Sequence, residues 1–254
     1  MIRRIVTSAA VVAATLLTGG CLGLPDAEPE PATATTTKAA SPSPTGTPAQ
    51  ALLVEALRRV QQVAYRFSVQ GDLPDDGGTI TANGAYDPAA KLFESTIQTA
   101  ATKGPVHRIV VGTDNYLQQP GGGKWVHLDL KRVKTDSLVY FDMTDPTGLV
   151  QFTTKVGQAT LKSAGTYTGT FNASGAKPEF LPVGAPSIWS IGGENSPFTI
   201  SVDEQGWVTS IAVELTGKDK TLKLVTTLSG HNTPTQIKAP AKKSVVEADD
   251  MYYG

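Results

Sequence analysis

"FTISVDEQGWVTSIAVEL", residues 198–215, decides the fold. Phe198, Ile200 and Val202 alternate with Thr199 and Ser201, the period of a strand with one buried face. "DEQG" at 203–206 reads as a turn. Beyond it Trp207, Ile211, Val213 and Leu215 fall on one side. Two alternating runs joined by so short a turn make an antiparallel hairpin.

The same pattern continues outward. Downstream, "KTLKLVTTLSGHNTPTQIKAP" (220–240) adds one or two strands, with Leu222, Leu224 and Leu228 on one face and Pro234 and Pro240 at an edge or strand end. The remaining residues, 242–254, read as a C-terminal tail. Upstream, "GTYTGTFNA" (165–173) is a strand. It is followed by a Pro- and Gly-rich segment, 174–197, that carries Trp189 and reads as a flap or a surface loop. "DPTGLVQF" from Asp145 places Leu149, Phe152 and Val156 at helical spacing, which predicts one or two short helices. Before these come "YRFSVQG", "TITANGAYD", "KLFESTIQT", "VHRIVVGTDNYLQQ" and "KWVHLDL", separated by short turns. Such turns join antiparallel neighbours, since a parallel pair needs a crossover of about a dozen residues.

"TPAQALLVEALRRVQQVA" (47–64) is the clearest helix. Thr47 and Gln50 form a capping-box pattern, Pro48 suits the first turn, and Leu53, Leu57, Val60 and Ala64 share a face. The folded domain therefore spans 48–241. It is an α+β domain with roughly ten strands in one antiparallel sheet, which must curl at that width.

The N-terminus carries an address. "MIRR", an apolar run "IVTSAAVVAATLL" and "TGGC" make a secretory signal over residues 1–20. The run is too short to span a bilayer, which takes about 20 residues. Cys21, the one cysteine in the chain, follows two glycines as in a bacterial lipobox, although Thr18 stands where that box has leucine. Two readings remain: a lipidated Cys21 anchoring the protein at the outer face of the cytoplasmic membrane, or an ordinary secreted protein with an incidental cysteine. Residues 21–47, rich in Pro, Ala and Thr, read as a disordered tether. With no second cysteine, no intramolecular disulfide forms and the core must hold the fold.

In order, the helix, the meander, "DPTGLV" (145–150), "VDEQGWV" (202–208) and a closing "TPTQIKAP" (233–240) strand resemble the actinobacterial LppX/LprG-type lipoproteins of the wider LolA-like, lipoprotein-carrier group. The resemblance covers nearly all of the chain after residue 48. It implies a half-barrel sheet with helices packed in its concave side and an apolar cavity between them for lipids or acylated glycolipids. It implies no catalytic residue. Inward apolar positions give the expected lining: Leu57, Val60, Tyr65, Phe67, Val69, Phe152, Trp189, Ile200, Trp207, Ile211 and Val213. The alternative is a sensory or protein-interaction lipoprotein on the same scaffold with a filled core.

Other chemistry has little to stand on. The net charge of −1 recommends no nucleic-acid partner. There is no GxSxG elbow, Walker sequence or GxGxxG after a strand. His127 and Asp129 share one face of a strand without a third ligand in view, so no metal, cofactor or catalytic role is expected. The expected state is a monomer.

Overall fold

The computed structural model describes residues 47–72, 78–100, 103–137, 139–172, 195–216 and 221–253, all within one compact unit, 43–254. The expectations for residues 1–46, Cys21 included, and for Trp189 in the 173–194 segment lie outside the described residues. No described helix is long and apolar enough to cross a membrane.

The chain begins with α1 (Pro48–Gln61) and a meander of β1 (Tyr65–Asp72), β2 (Thr79–Asp87), β3 (Leu92–Thr99), β4 (Val106–Val111), β5 (Asp114–Gln118) and β6 (Trp125–Asp129). After a long connection come α2 (Leu149–Lys155), β7 (Val156–Ser163), β8 (Thr166–Phe171), β9 (Ser196–Val202), β10 (Val208–Thr216), β11 (Thr221–Ser229) and β12 (Val245–Glu247). All twelve strands form one curved, unclosed sheet in the order β12-β6-β5-β4-β3-β2-β1-β11-β10-β9-β8-β7. Two antiparallel meanders thus meet where β1 pairs with β11, Phe67 opposite Leu228.

α1 forms as its sequence dictates. The Thr47 hydroxyl accepts from the Gln50 amide at 3.2 Å, and Leu53, Leu57 and Val60 are fully buried. It packs on α2, β7 and β10. Its start also guards the free edge of the sheet: Thr47 Oγ1 donates to the Ala159 carbonyl at 3.0 Å and Gln50 Nε2 to that of Val156 at 3.4 Å. The other edge strand is only three residues long. Short or covered edges are how sheets avoid pairing with further chains. On the concave face Gly84 lies opposite Phe67 and Gly169 opposite Phe198; a Cβ at either would strike the facing phenyl ring and a strand carbonyl.

Four expectations change. Val156 does not extend α2: Gly157 follows it, and β7 begins there with Ala159 turned inward. Residues 232–240 form no strand. The expected tail is ordered, because β12 pairs in parallel with β6, Val246 beside Val126. Trp207 leaves the buried row, because a bulge between Val208 and Ser210 shifts the inward register, so that Val208 continues it.

Candidate functional site

The concave face has two unlike halves. Over β7–β11 and β1 it is closed by the helices. Leu57, Val60, Phe152, Ile200 and Ile211 are 0% exposed, and Tyr65, Phe67, Val69 and Val213 no more than 3%. A side chain bordering a space large enough for water would be exposed to it. These nine, expected as a lining, are packed against one another as core. Trp207, the tenth, is half-buried at the end of α1.

The other half lies over β3–β6. Neighbouring strands are about 4.8 Å apart, so twelve span about 50 Å, whereas α1, with 14 residues, is about 21 Å long. The helices cannot cover the whole face. Register places Ile97 opposite Val106 and Leu117 opposite Val126, all half-buried and all on the side of Phe93, Val110 and Leu128. The 130–148 connection covers this half in part, through the buried Val133 and Phe141.

Across this apolar half runs a diagonal of polar groups. Ser95 of β3 faces Arg108 of β4. Arg108 faces Leu117 and Val110 faces Asn115 on β5, which makes Arg108 and Asn115 diagonal neighbours on one face. Ser95 is buried, and Asn115 is fully buried with neither amide atom paired within the protein. The Arg108 guanidinium lies 4.0 Å over the Phe141 ring. Phe141 in turn contacts Phe93 at 5.1 Å, Phe93 meets Tyr86 at 6.4 Å, and Tyr86 meets Tyr65 at 5.9 Å. A file of rings thus connects the packed half to the half over β3–β6.

The tyrosines in that file are held un-ionised. Burial, then the nearby Asp145, pushes Tyr86 up to about 12. Tyr65 is raised still further by burial, although its hydroxyl bonds Thr147 at 2.8 Å. Asp145 caps α2, accepting from the amides of Val150 at 3.0 Å and Gln151 at 2.9 Å, and burial lifts its own carboxyl above the usual range. These groups build a rigid wall. Among the described residues, the half over β3–β6 offers half-buried aliphatic surface beside the Arg108 guanidinium, with the Ser95 hydroxyl and the Asn115 amide buried beneath it. That set suits a molecule with a greasy body and a polar, acceptor-bearing head. No group of three or more His, Cys, Asp or Glu among the described residues is placed to hold a metal.

Sequence reasoning missed this diagonal, although its signal was there. In "VHRIVV" Arg108 has the inward parity of Val106 and Val110, and in "DNYLQ" Asn115 has that of Leu117. A polar residue on the buried parity of a strand is costly without a partner or a task.

No family profile and no curated protein matches the chain. Solved structures similar to it include an uncharacterized conserved protein from Thermus thermophilus, at TM-score 0.45 and 12% identity over 80% of this chain and 100% of that one. Others are a LolA superfamily protein from Nitrosomonas europaea (TM-score 0.28, 10% identity, 77% and 96%) and MucB (TM-score 0.32, 12% identity, 77% and 61%). These are loose likenesses, and the half-barrel follows from the order of the strands in the one unclosed sheet.

Proposed function

We propose that this protein is a membrane-tethered lipoprotein of the bacterial envelope that binds lipids or acylated glycolipids on the open half of its concave face. The observation that carries the reading is the Ser95–Arg108–Asn115 diagonal set among half-buried aliphatic side chains. Acyl chains gain about 0.8 kcal/mol per methylene removed from water, and Ile97, Val106, Leu117 and Val126 provide the surface. Arg108 meets the ester, phosphate or carboxylate oxygens of the head. Cys21, lipidated, anchors the chain at the outer face of the cytoplasmic membrane, with 21–47 as tether. No catalysis is assigned.

Native mass spectrometry tests this on the full chain carrying Cys21→Ala, offered dioleoylphosphatidylglycerol and palmitate. The expected result is a mass addition removed by organic extraction and reduced by Arg108→Leu. An unshifted mass with both lipids overturns the reading. A second reading, a protein-docking module with no lipid cargo, is favoured by the dense packing under α1. Photocrosslinking from positions 97 and 126 in intact envelopes separates the two: it yields lipid adducts in the first case and one discrete protein adduct in the second.

A further inference from the structure

The convex face carries a depression of about 280 Å³ that the lipid reading does not use. Strand parity brings to it the side chains of Asn83, Glu94, Thr96, His107, Ile109 and Trp125. Two walls are flat rings, with the His107 and Trp125 centroids 6.3 Å apart and inclined at 55°. Thr96 Oγ1 bonds His107 Nδ1 at 3.0 Å, which leaves Nε2 for a ligand. The Asn83 amide and the Glu94 carboxylate have no side-chain hydrogen bond among the described residues.

We infer that this depression is a binding site for an uncharged pyranose ring of a glycan. Three features select that chemistry. An indole face beside an aliphatic side chain matches the C–H face of a sugar ring. Carboxylate, amide, hydroxyl and imidazole supply both donors and acceptors, which vicinal hydroxyls use together. The Arg108 guanidinium is turned to the opposite face, over Phe141, and Glu94 forms no ion pair among the described residues, so an anionic sugar is disfavoured. Bare aliphatic chains would strand the same polar groups. A quaternary ammonium would use the rings and Glu94 but neither Asn83 nor Thr96 as donor. The volume holds a small saccharide unit, with the rest of the glycan running out over the sheet.

Saturation-transfer NMR on the full chain carrying Cys21→Ala tests the site. The probes are maltose, mannobiose, N,N′-diacetylchitobiose and choline. In a second arm, phosphatidylglycerol vesicles with and without digalactosyldiacylglycerol separate a free glycan from a glycolipid head group. The expected result is transfer to the ring protons of one saccharide, or binding only to the galactolipid vesicles. Affinity should fall about tenfold, worth about 1.4 kcal/mol, in Trp125→Ala and also in Asn83→Ala, whose side chain is exposed and unbonded. Binding of choline alone, no saccharide signal in either arm, or full affinity in both pocket variants overturns the assignment.

Discussion

Nδ1 of His127 in β6 lies 2.8 Å from the carboxylate of Glu247 in β12, across 120 residues of chain. Nε2 of the same ring lies 3.0 Å from Asp114 Oδ1 on the other side. Carboxylates only accept, so both ring nitrogens must donate and the imidazole is held as a cation. Partial burial works against that charge, but the bonds to Glu247 and Asp114 outweigh it, and the His127 pKa is raised.

A dependence of β12 docking on pH follows. Because the folded value lies above the ordinary 6.5 or so of histidine, the stabilisation is complete below that value. It fades as pH rises through the raised one, when one nitrogen loses its proton and one carboxylate its donor. The His127 ring protons should titrate above the ordinary histidine range, and Glu247→Gln should bring the midpoint down. Glu247 is largely exposed, so the variant should cost only about 0.5–1 kcal/mol in urea unfolding. An unmoved midpoint in that variant would rule out this coupling.

Asn115 allows the cost of a buried, unpaired amide to be measured. It is fully buried between Val110 and Leu128, with neither side-chain amide atom paired in the protein. A buried unpaired polar group costs about 1–3 kcal/mol. Asn115→Leu, close in size, should raise stability by about 1 kcal/mol or more in denaturant unfolding. Unchanged or lower stability in that variant would show that the amide carries no such penalty.

The parts legible from sequence are those in which one periodicity spans a whole element. Phe67, Ile200, Ile211 and Leu224 are assignable to one buried face because β1, β9 and β11 alternate without a break and β10 does so from Ser210 onward. Trp207 was misplaced because the bulge at Val208–Ser210 is a one-residue register shift with no signature of its own in "GWVTSIAV". β12 is not legible from sequence because it is only three residues long and a partner strand about 120 positions away holds it. The diagonal of Ser95, Arg108 and Asn115 needs the register between three strands, which no single strand encodes. Where the helices stop covering the sheet is likewise a matter of length against width, visible only once the strand order is known.

Arg59, Trp207 and His231 form a three-layer stack that ties α1 to the β9–β10 turn. The Arg59 guanidinium lies 3.8 Å over the indole, while the His231 ring lies 5.1 Å from it and nearly parallel, at 6°. Arg59 Nη1 also donates to the Gln205 carbonyl at 2.7 Å. Burial, with Arg59 contributing, lowers the His231 pKa. The sign is opposite to that of His127: stability from a neutral His231 is complete above about 6.5 and is lost as pH falls through the depressed value. Arg59→Ala should cost about 1–2 kcal/mol and move the His231 midpoint upward by NMR titration. A midpoint that stays in place would show that the guanidinium has no electrostatic hold on the ring.

The Thr47 hydroxyl has two tasks. It accepts from the Gln50 amide and so caps α1, and it donates to the Ala159 carbonyl on the outermost strand, β7. Val keeps the shape of Thr and removes both bonds, so Thr47→Val should cost about 1–2 kcal/mol from the cap and the lost acceptor partner together. The second effect differs in kind. With the start of α1 loosened, the β7 edge is uncovered, and an uncovered edge is a template for another chain. Light scattering at fixed protein concentration should therefore show association growing faster in Thr47→Val than in Thr47→Ser, which retains the hydroxyl. If Thr47→Val loses stability but stays as monodisperse as Thr47→Ser, capping is the whole role of this residue and the edge is protected by other means.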